Sequence, residues 1–229
     1  RYDGSYRYHP DKRWGFFPVV SAGWRISEEK FFKDHILFIY NFKLRGSFGQ
    51  VGENVGNAFQ YIGGFSLNQG SYEFSEGTST SGVAAPGVTN KHLTWYESNI
   101  KDIGFDLGLL NGSLNIEFDL YQRDRKGLLA YRNATLPNTF GASLPQENLN
   151  KDRVRGMEFS VSFNKKVTKD LSISANANFN YSRTMTVYAE RGSFTNSMDR
   201  YRNGTNKRWN DIIWMYEYTG QFQSVEDII

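Results

Sequence analysis

No cysteine occurs in the 229 residues, which excludes a disulfide scaffold, a thiolate zinc site and a cysteine nucleophile. No run of about 18 apolar residues exists either, so no helix is written to cross a membrane. Neither sign of charge dominates: 27 Lys and Arg against 24 Asp and Glu leave +3, too mild to indicate a nucleic-acid partner. Prolines number only 5, while there are 5 Trp, 14 Tyr and 18 Phe, a composition that does not describe a disordered chain. The mean hydropathy of −0.58 reads as soluble. That average is uninformative if one face of every strand is polar by design, because it then hides an apolar face. The chain opens at Arg1 without a Met and reads as a segment of a longer protein.

Periodicity supplies what the averages conceal. Ile103, Phe105, Leu107 and Leu109 alternate with Gly104, Asp106 and Gly108. After Leu110-Asn111-Gly112-Ser113, Leu114, Ile116, Phe118 and Leu120 alternate with Asn115, Glu117 and Asp119. Asn-Gly suits a type I′ turn, which needs positive φ at both central residues. Pairing Leu110 with Ser113 sets Leu109 against Leu114, Leu107 against Ile116, Phe105 against Phe118 and Ile103 against Leu120. All eight residues of one face are then apolar, and a slip of one residue destroys the match.

Similar alternation runs through Phe42–Phe48, Met157–Phe163 and Leu171–Tyr181, and more weakly through 14–26. The one helical stretch is 27–32, with Ser27 as its N-cap. The fold class is therefore all-β. Connections alternate in length: 27–40 is modest, 50–93 very long, 111–112 minimal, 123–153 long, 165–170 short and 188–210 long. Long loops at every second connection lie at one end of the sheet, the pattern of an outer-membrane barrel with short periplasmic turns and long extracellular loops. The strands look close to the 9–11 residues that cross a bilayer at a tilt. A soluble antiparallel sandwich shows the same alternation and is the competing architecture. Six strands cannot close a single-chain barrel, so the segment reads as part of a larger one.

On a barrel reading, Ile103, Phe105, Leu107, Leu109, Leu114, Ile116, Phe118 and Leu120 face lipid, and Lys43, Arg45, Asp106, Glu117 and Asp119 line the lumen. Trp24 falls at the interfacial girdle. Asp106 and Glu117 stand opposite one another, near the separation of a retaining glycosidase pair. A wet wall with Lys43 and Arg45 nearby raises neither pKa selectively, so no catalytic residue is assigned. His9, His35 and His92 have no ligand spacing, and no metal or cofactor is expected. Gly46, Gly49 and Gly52 lack the Lys-Ser/Thr of a phosphate loop and read as strand-end flexibility. Asn111-Gly112-Ser113, Asn133-Ala134-Thr135 and Asn203-Gly204-Thr205 read as turn chemistry. Between Tyr121 and Arg155 seven basic residues (Arg123, Arg125, Lys126, Arg132, Lys151, Arg153, Arg155) outnumber three acidic ones, a cluster suited to lipopolysaccharide phosphates, an acidic partner patch or plain solvation. Tyr61, Tyr72, Tyr131, Tyr201, Trp209 and Trp214 suit stacking on a ligand or a lid protein, and equally packing among loops.

Several of these stretches, in order, resemble the SusC/RagA-type TonB-dependent outer-membrane transporters. They are Arg13-Trp14-Gly15-Phe16-Phe17-Pro18 through Glu29, Phe42-Lys43-Leu44-Arg45-Gly46-Ser47-Phe48-Gly49-Gln50, Leu93-Thr94-Trp95 leading to Ile103-Gly104-Phe105-Asp106, Arg155-Gly156-Met157-Glu158, and Gly220-Gln221-Phe222-Gln223-Ser224. The departures are Lys91 and Tyr96 around Leu93-Thr94-Trp95 and the run Asn148–Arg155. The resemblance implies a plugged barrel of about 22 strands, with residues 1–229 a middle-to-late portion. Its plug, TonB box and closing C-terminal strand would lie outside this chain. It further implies the outer membrane of a Gram-negative bacterium, a SusD-like surface lipoprotein, the TonB complex, outer-membrane lipid and lipopolysaccharide as partners, and TonB-driven import of oligosaccharides or peptides. The alternative is an all-β carbohydrate-binding or adhesive surface module without transport; a hydrolase using Asp106 and Glu117 ranks last.

Overall fold

The alternating stretches become strands in the computed structural model, which describes residues 1–221 apart from 85, 86, 133–136, 138, 140, 141 and 219. β1 (Tyr2–Gly4) and β2 (Trp14–Phe16) form a small ribbon ahead of β3 (Val19–Arg25). β4 (Ile39–Glu53) precedes a separate hairpin of β5 (Ser66–Ser75) and β6 (Thr78–Ala84). Then come β7 (Tyr96–Leu109), β8 (Leu114–Tyr131), β9 (Gln146–Lys166), β10 (Ser172–Tyr188) and the short β11 (Arg208–Trp209). The main sheet runs β11-β10-β9-β8-β7-β4-β3, antiparallel throughout and open at both edges among the described residues. The β7–β8 register is the one the hydrophobic match requires, including Phe105↔Phe118 and Asp106↔Glu117. Asn111 (φ 55°) and Gly112 (φ 85°) make the turn, closed by the Ser113 N–H donating to the Leu110 carbonyl at 3.2 Å. Leu110 also adopts positive φ, 52°, which the sequence does not announce.

The connections fall as their lengths require. Residues 26–38, 110–113 and 167–171 join strands at one end; 54–95, 132–145 and 189–207 join them at the other. The long strands reach 14 to 21 residues, well past a bilayer crossing. The expected loop 123–153 is correspondingly shorter, because β8 continues to Tyr131 and β9 begins at Gln146. Hydrophobic alternation ends there, so nothing in the pattern marks these residues as strand. Cross-strand ion pairs Arg125–Asp152, Arg153–Asp124 and Arg132–Glu147 replace apolar contacts in holding the extension.

Other expectations are corrected. The weak strand 14–26 is two strands, broken at Phe17-Pro18, where Pro18 has no N–H to continue a ladder. Ser27 caps no helix; it lies within a 3₁₀ turn, Ile26–Glu28, and its buried hydroxyl has no protein partner, while Glu29 precedes α1 (Lys30–Lys33). A second helix, α2 (Ser197–Asn203), forms where no hydrophobic period marks one, with Asn196-x-x-Asp199 at its start. Gly46, Gly49 and Gly52 are interior to β4, and the Phe17 ring lies over Gly52. The sequon at Asn133 and most of the 220–224 motif fall outside the described residues.

Burial divides the molecule in two. The buried aromatic and aliphatic side chains Tyr8, Phe17, Leu93 and Tyr96 gather at the long-loop end, with Trp95 edge-on to Tyr8 and Phe17. The Trp95 indole donates to the Arg13 carbonyl at 3.0 Å, tying the first ribbon to the start of β7. Asn148 completes the brace, donating to the Thr94 and Gly127 carbonyls at 2.8 Å and accepting from the Thr94 N–H at 2.9 Å. The apolar face of the main sheet, by contrast, is covered by no second layer: Ile103 is 64% exposed and Phe179 53%. Burying a large apolar side chain is worth about 1.5–3 kcal/mol. Of the eight on the 103–120 hairpin, Ile103 and Leu120 are exposed and the other six only partly buried, so part of that gain is not realised within the chain. No sandwich partner covers this face among the described residues.

Candidate functional site

Opposite that apolar face, the same strands build a continuous polar wall. One ladder position carries Arg25, Lys43, Asp106, Glu117, Ser160 and Asn178 across β3, β4, β7, β8, β9 and β10. The next carries Gly23, Arg45, Gly104, Asp119, Glu158 and Asn180. Arg45 is the hub. Its Nε donates to Asp106 Oδ1 at 2.8 Å and its Nη2 to Asp119 Oδ2 at 2.7 Å, with Lys43 Nζ 4.0 Å from Asp106. The two acids lie on adjacent strands, and Arg45 reaches the farther one by passing over Gly104.

Gly104 is required for that reach. A methyl group there would stand 2.0 Å from Asp119 Oδ1 and 2.6 Å from the Phe118 carbonyl oxygen. Because the second atom is backbone, no rotamer change relieves the contact. Gly104→Ala is expected to cost about 1–3 kcal/mol as an overpacking change; the lowered midpoint would appear in urea unfolding of the refolded full-length protein, and an unchanged midpoint would refute the role. A second glycine–aromatic fit, the Tyr121 ring over Gly156, lies one ladder position on. Asp106 and Glu117 do stand opposite, but Asp106 is paired with Arg45 and lies 4.0 Å from Lys43. The wall presents charges that are paired with one another.

The structure separates the aromatic candidates. Tyr201 and Trp214 meet at 4.8 Å, and Trp209 carries the Arg183 guanidinium 4.5 Å above its ring. Tyr61 sits elsewhere, edge-on to His9 and Phe59; Tyr72 pairs with Phe74 on the β5–β6 hairpin; Tyr131 ends β8, half-exposed. A cavity of about 480 Å³ opens in the 188–208 region between Tyr188, Phe194 and Tyr201, with Arg191, Arg200 and Arg208 in its lining. Those arginines were not singled out in the sequence; their interleaving with aromatics over 188–209 was the available signal.

The base of this cavity rests on α2. Asn196 Oδ1 accepts from the Asp199 N–H at 2.8 Å, and Asp199 Oδ2 accepts from the Thr195 N–H at 3.0 Å, a reciprocal cap. The Asn203 amide and the Thr195 N–H, bonded to its carboxylate, hold the Asp199 pKa below the ordinary aspartate range. A depressed folded pKa contributes stability above the unfolded value and loses it as pH falls through the folded one. Amide-exchange protection of α2 should therefore fall at acid pH before the main sheet opens, and Asp199→Asn should remove that dependence. Equal protection in both proteins across the acid range would refute the cap.

Comparison with known proteins agrees with this arrangement. The family model described as TonB dependent receptor-like, beta-barrel matches residues 1–224. The TonB-dependent receptor SusC of Bacteroides thetaiotaomicron is 31% identical over 213 residues, covering 91% of this chain and 21% of that protein. TonB-dependent receptor P39 of Formosa agariphila is 32% identical over 186 residues, covering 79% of this chain and 17% of that protein. A structure described as the RagAB peptide importer in the open-open state superposes with a TM-score of 0.69 at 21% identity, over 82% of this chain and 20% of that one. The chain thus spans about a fifth of the length of the relatives it matches.

Proposed function

Because this chain belongs to the TonB dependent receptor-like β-barrel family, we propose that it forms part of the wall of an outer-membrane transporter that imports oligosaccharide or peptide. The observation that carries this reading is the division of the main sheet: one face apolar and uncovered, the other charged and internally paired, with every long connection at one end. The apolar face meets lipid, including the eight residues Ile103 to Leu109 and Leu114 to Leu120. The polar face, with Lys43, Arg45, Asp106, Glu117 and Asp119, lines the lumen. Import is energised by TonB through a box and plug outside residues 1–229, and a SusD-like lipoprotein lids the long-loop end. The names of the relatives, TonB-dependent receptor SusC and the RagAB peptide importer, support TonB coupling and peptide as one substrate class.

In this reading the wall does positioning rather than chemistry. Arg45 locks the lumen acids into a rigid surface, and the loops carrying Tyr201, Trp209, Trp214 and the arginine-lined cavity grip the ligand. The test is made on the full gene in its own bacterium: deletion of the TonB box should abolish growth on the transported oligosaccharide or peptide while leaving the protein in the outer membrane. Growth unchanged by the deletion would favour a passive or adhesive surface role and overturn the proposal.

A further inference from the structure

Three acids fall between Tyr188 and Asp211, and each is already engaged. Glu190 Oε2 accepts from the Tyr188 hydroxyl at 2.6 Å, and the Asp199 carboxylate accepts from the Thr195 N–H and the Asn203 amide. Asp211 pairs with Arg183 at 2.8 Å. The cavity of about 480 Å³ is lined by Arg191, Arg200 and Arg208 and by no acid. None of the three arginines has a carboxylate within 4 Å among the described residues; the charge of Arg191 reaches Asp199 without an ion pair. Positive charge is therefore gathered here and left uncompensated, the opposite of the wall, where Arg45 is paired twice.

Aromatic rings place two of these cations. The Arg191 guanidinium stands 5.1 Å over Phe194 and that of Arg208 5.5 Å over Tyr201. A ring face attracts a guanidinium without using any of its five N–H donors. One Arg191 donor goes to the Asn203 carbonyl. The rest of the lining is mostly small and polar, with Ser197, Thr205 and Asn206 present and Ala189 its one aliphatic side chain. A neighbouring recess of about 310 Å³ shares Gly204, Thr205 and Arg208 with the first and is lined by Trp209 and Trp214, again with no acid. Trp209 already carries Arg183, whereas Trp214 is 48% exposed. Two recesses joined at Arg208 suit successive units of an oligomer, with charge in one and a ring face in the other.

We propose that residues 188–214 select an anionic oligosaccharide, with the acid group of one sugar on Arg191, Arg200 and Arg208 and the next sugar ring against Trp214. The proposal deepens the transport reading and rests on it for the role of these loops in gripping the ligand. Hydrogen bonds from a guanidinium to an anion are roughly twice as strong as neutral ones. Three neighbouring cations without a counter-charge also repel one another, which a bound anion relieves and a neutral sugar does not. Sugar hydroxyls find partners in Ser197, Thr205 and Asn206, whereas an acidic peptide matches the charge but finds no aliphatic wall for its other side chains. A carboxylate and a sulfate ester supply the same charge to the same donors.

The experiment is calorimetric titration of the full-length protein in detergent with a galacturonic acid tetramer, a sulfated galactose tetramer, a neutral galactose tetramer and tetraglutamate. At least one acidic sugar should bind on the order of thirtyfold more tightly than the neutral one, and which of them binds identifies the acid group. Arg200→Gln/Arg208→Gln should bring that sugar to the neutral level; Arg191 is kept because it also holds the Asn203 carbonyl. Equal binding of neutral and acidic sugars, a preference that survives in the double variant, or tetraglutamate binding as tightly as the acidic sugar would each overturn the proposal. Amide-exchange protection of α2 should match wild type in the double variant. Where it does not, Arg200→Gln alone must weaken acidic-sugar binding at least about fivefold, and an unchanged affinity would overturn the proposal. The TonB-box deletion separates the two readings. Growth that survives the deletion beside intact acidic-sugar binding refutes transport alone, and growth lost on deletion beside no acidic preference refutes this proposal alone.

Discussion

Phe105→Arg is expected to destabilise the bilayer-inserted protein by about 2–4 kcal/mol, the depth-dependent cost of a cation on the lipid face near the midplane. That corresponds to roughly 30- to 1000-fold in the folding equilibrium. Phe105 lies midway along the outward apolar run, and its ring touches Phe42 at 6.3 Å and Phe118 at 5.6 Å, so ring contacts are lost as well. The control is Glu117→Gln on the opposite face of the partner strand, one residue away along β8 from Phe118. It should shift stability by no more than about 0.5 kcal/mol, as exposed substitutions do. Urea titrations of the full-length protein in lipid vesicles, followed by heat-modifiable migration, read both. Comparable losses from the two variants would mean that the faces are not solvated differently, and the barrel-wall reading would fall.

Arg45→Met should cost about 2 kcal/mol. Two charge-assisted hydrogen bonds disappear, each worth about 1.5–3 kcal/mol, and the partial exposure of the guanidinium, 31%, reduces the total. The larger consequence is the acids left behind: Asp106 and Asp119 would share the wall with Asp102 and Glu158 with only Lys43 close by. Replacing both pair partners, Asp106→Asn and Asp119→Asn, in the Arg45→Met background should recover at least half the loss. A double-mutant cycle in the same vesicle assay measures this. A cycle with no coupling would show that Arg45 stabilises through its stem alone. Arg45→Lys should not substitute, because an ammonium cannot bridge two carboxylates across Gly104.

The hairpin 103–120 was legible down to its register, since period two offers only two faces and only one alignment puts eight apolar side chains together. The helix α2 and the β5–β6 hairpin were not. Both are short, rich in Ser, Thr and Asn, and stabilised by caps and a two-residue turn at Glu76-Gly77, which carry no hydrophobic period. The extensions of β8 and β9 escaped for a related reason. Their pairing is ionic, and Arg125 with Asp152 or Arg153 with Asp124 lie 27 and 29 residues apart, invisible to any local pattern. The proximity of Asp106 and Glu117 follows from the hairpin register, but its meaning depends on Arg45 reaching past Gly104 to a third acid.

The amino-acid sequence by itself determined the alternating parts of the main-sheet strands, their faces and the end at which the long connections lie, because alternation and turn chemistry are local properties of the chain. It also excluded everything a cysteine or a long apolar helix would have allowed. The tertiary structure alone decided which charges are spent on one another and which stay free. Arg191, Arg200 and Arg208 are indistinguishable in the sequence from Arg125 and Arg153, and only the fold separates them. The physical reason is range: side-chain direction follows from the next residue along, whereas the compensation of a charge depends on whatever the fold brings to within 4 Å.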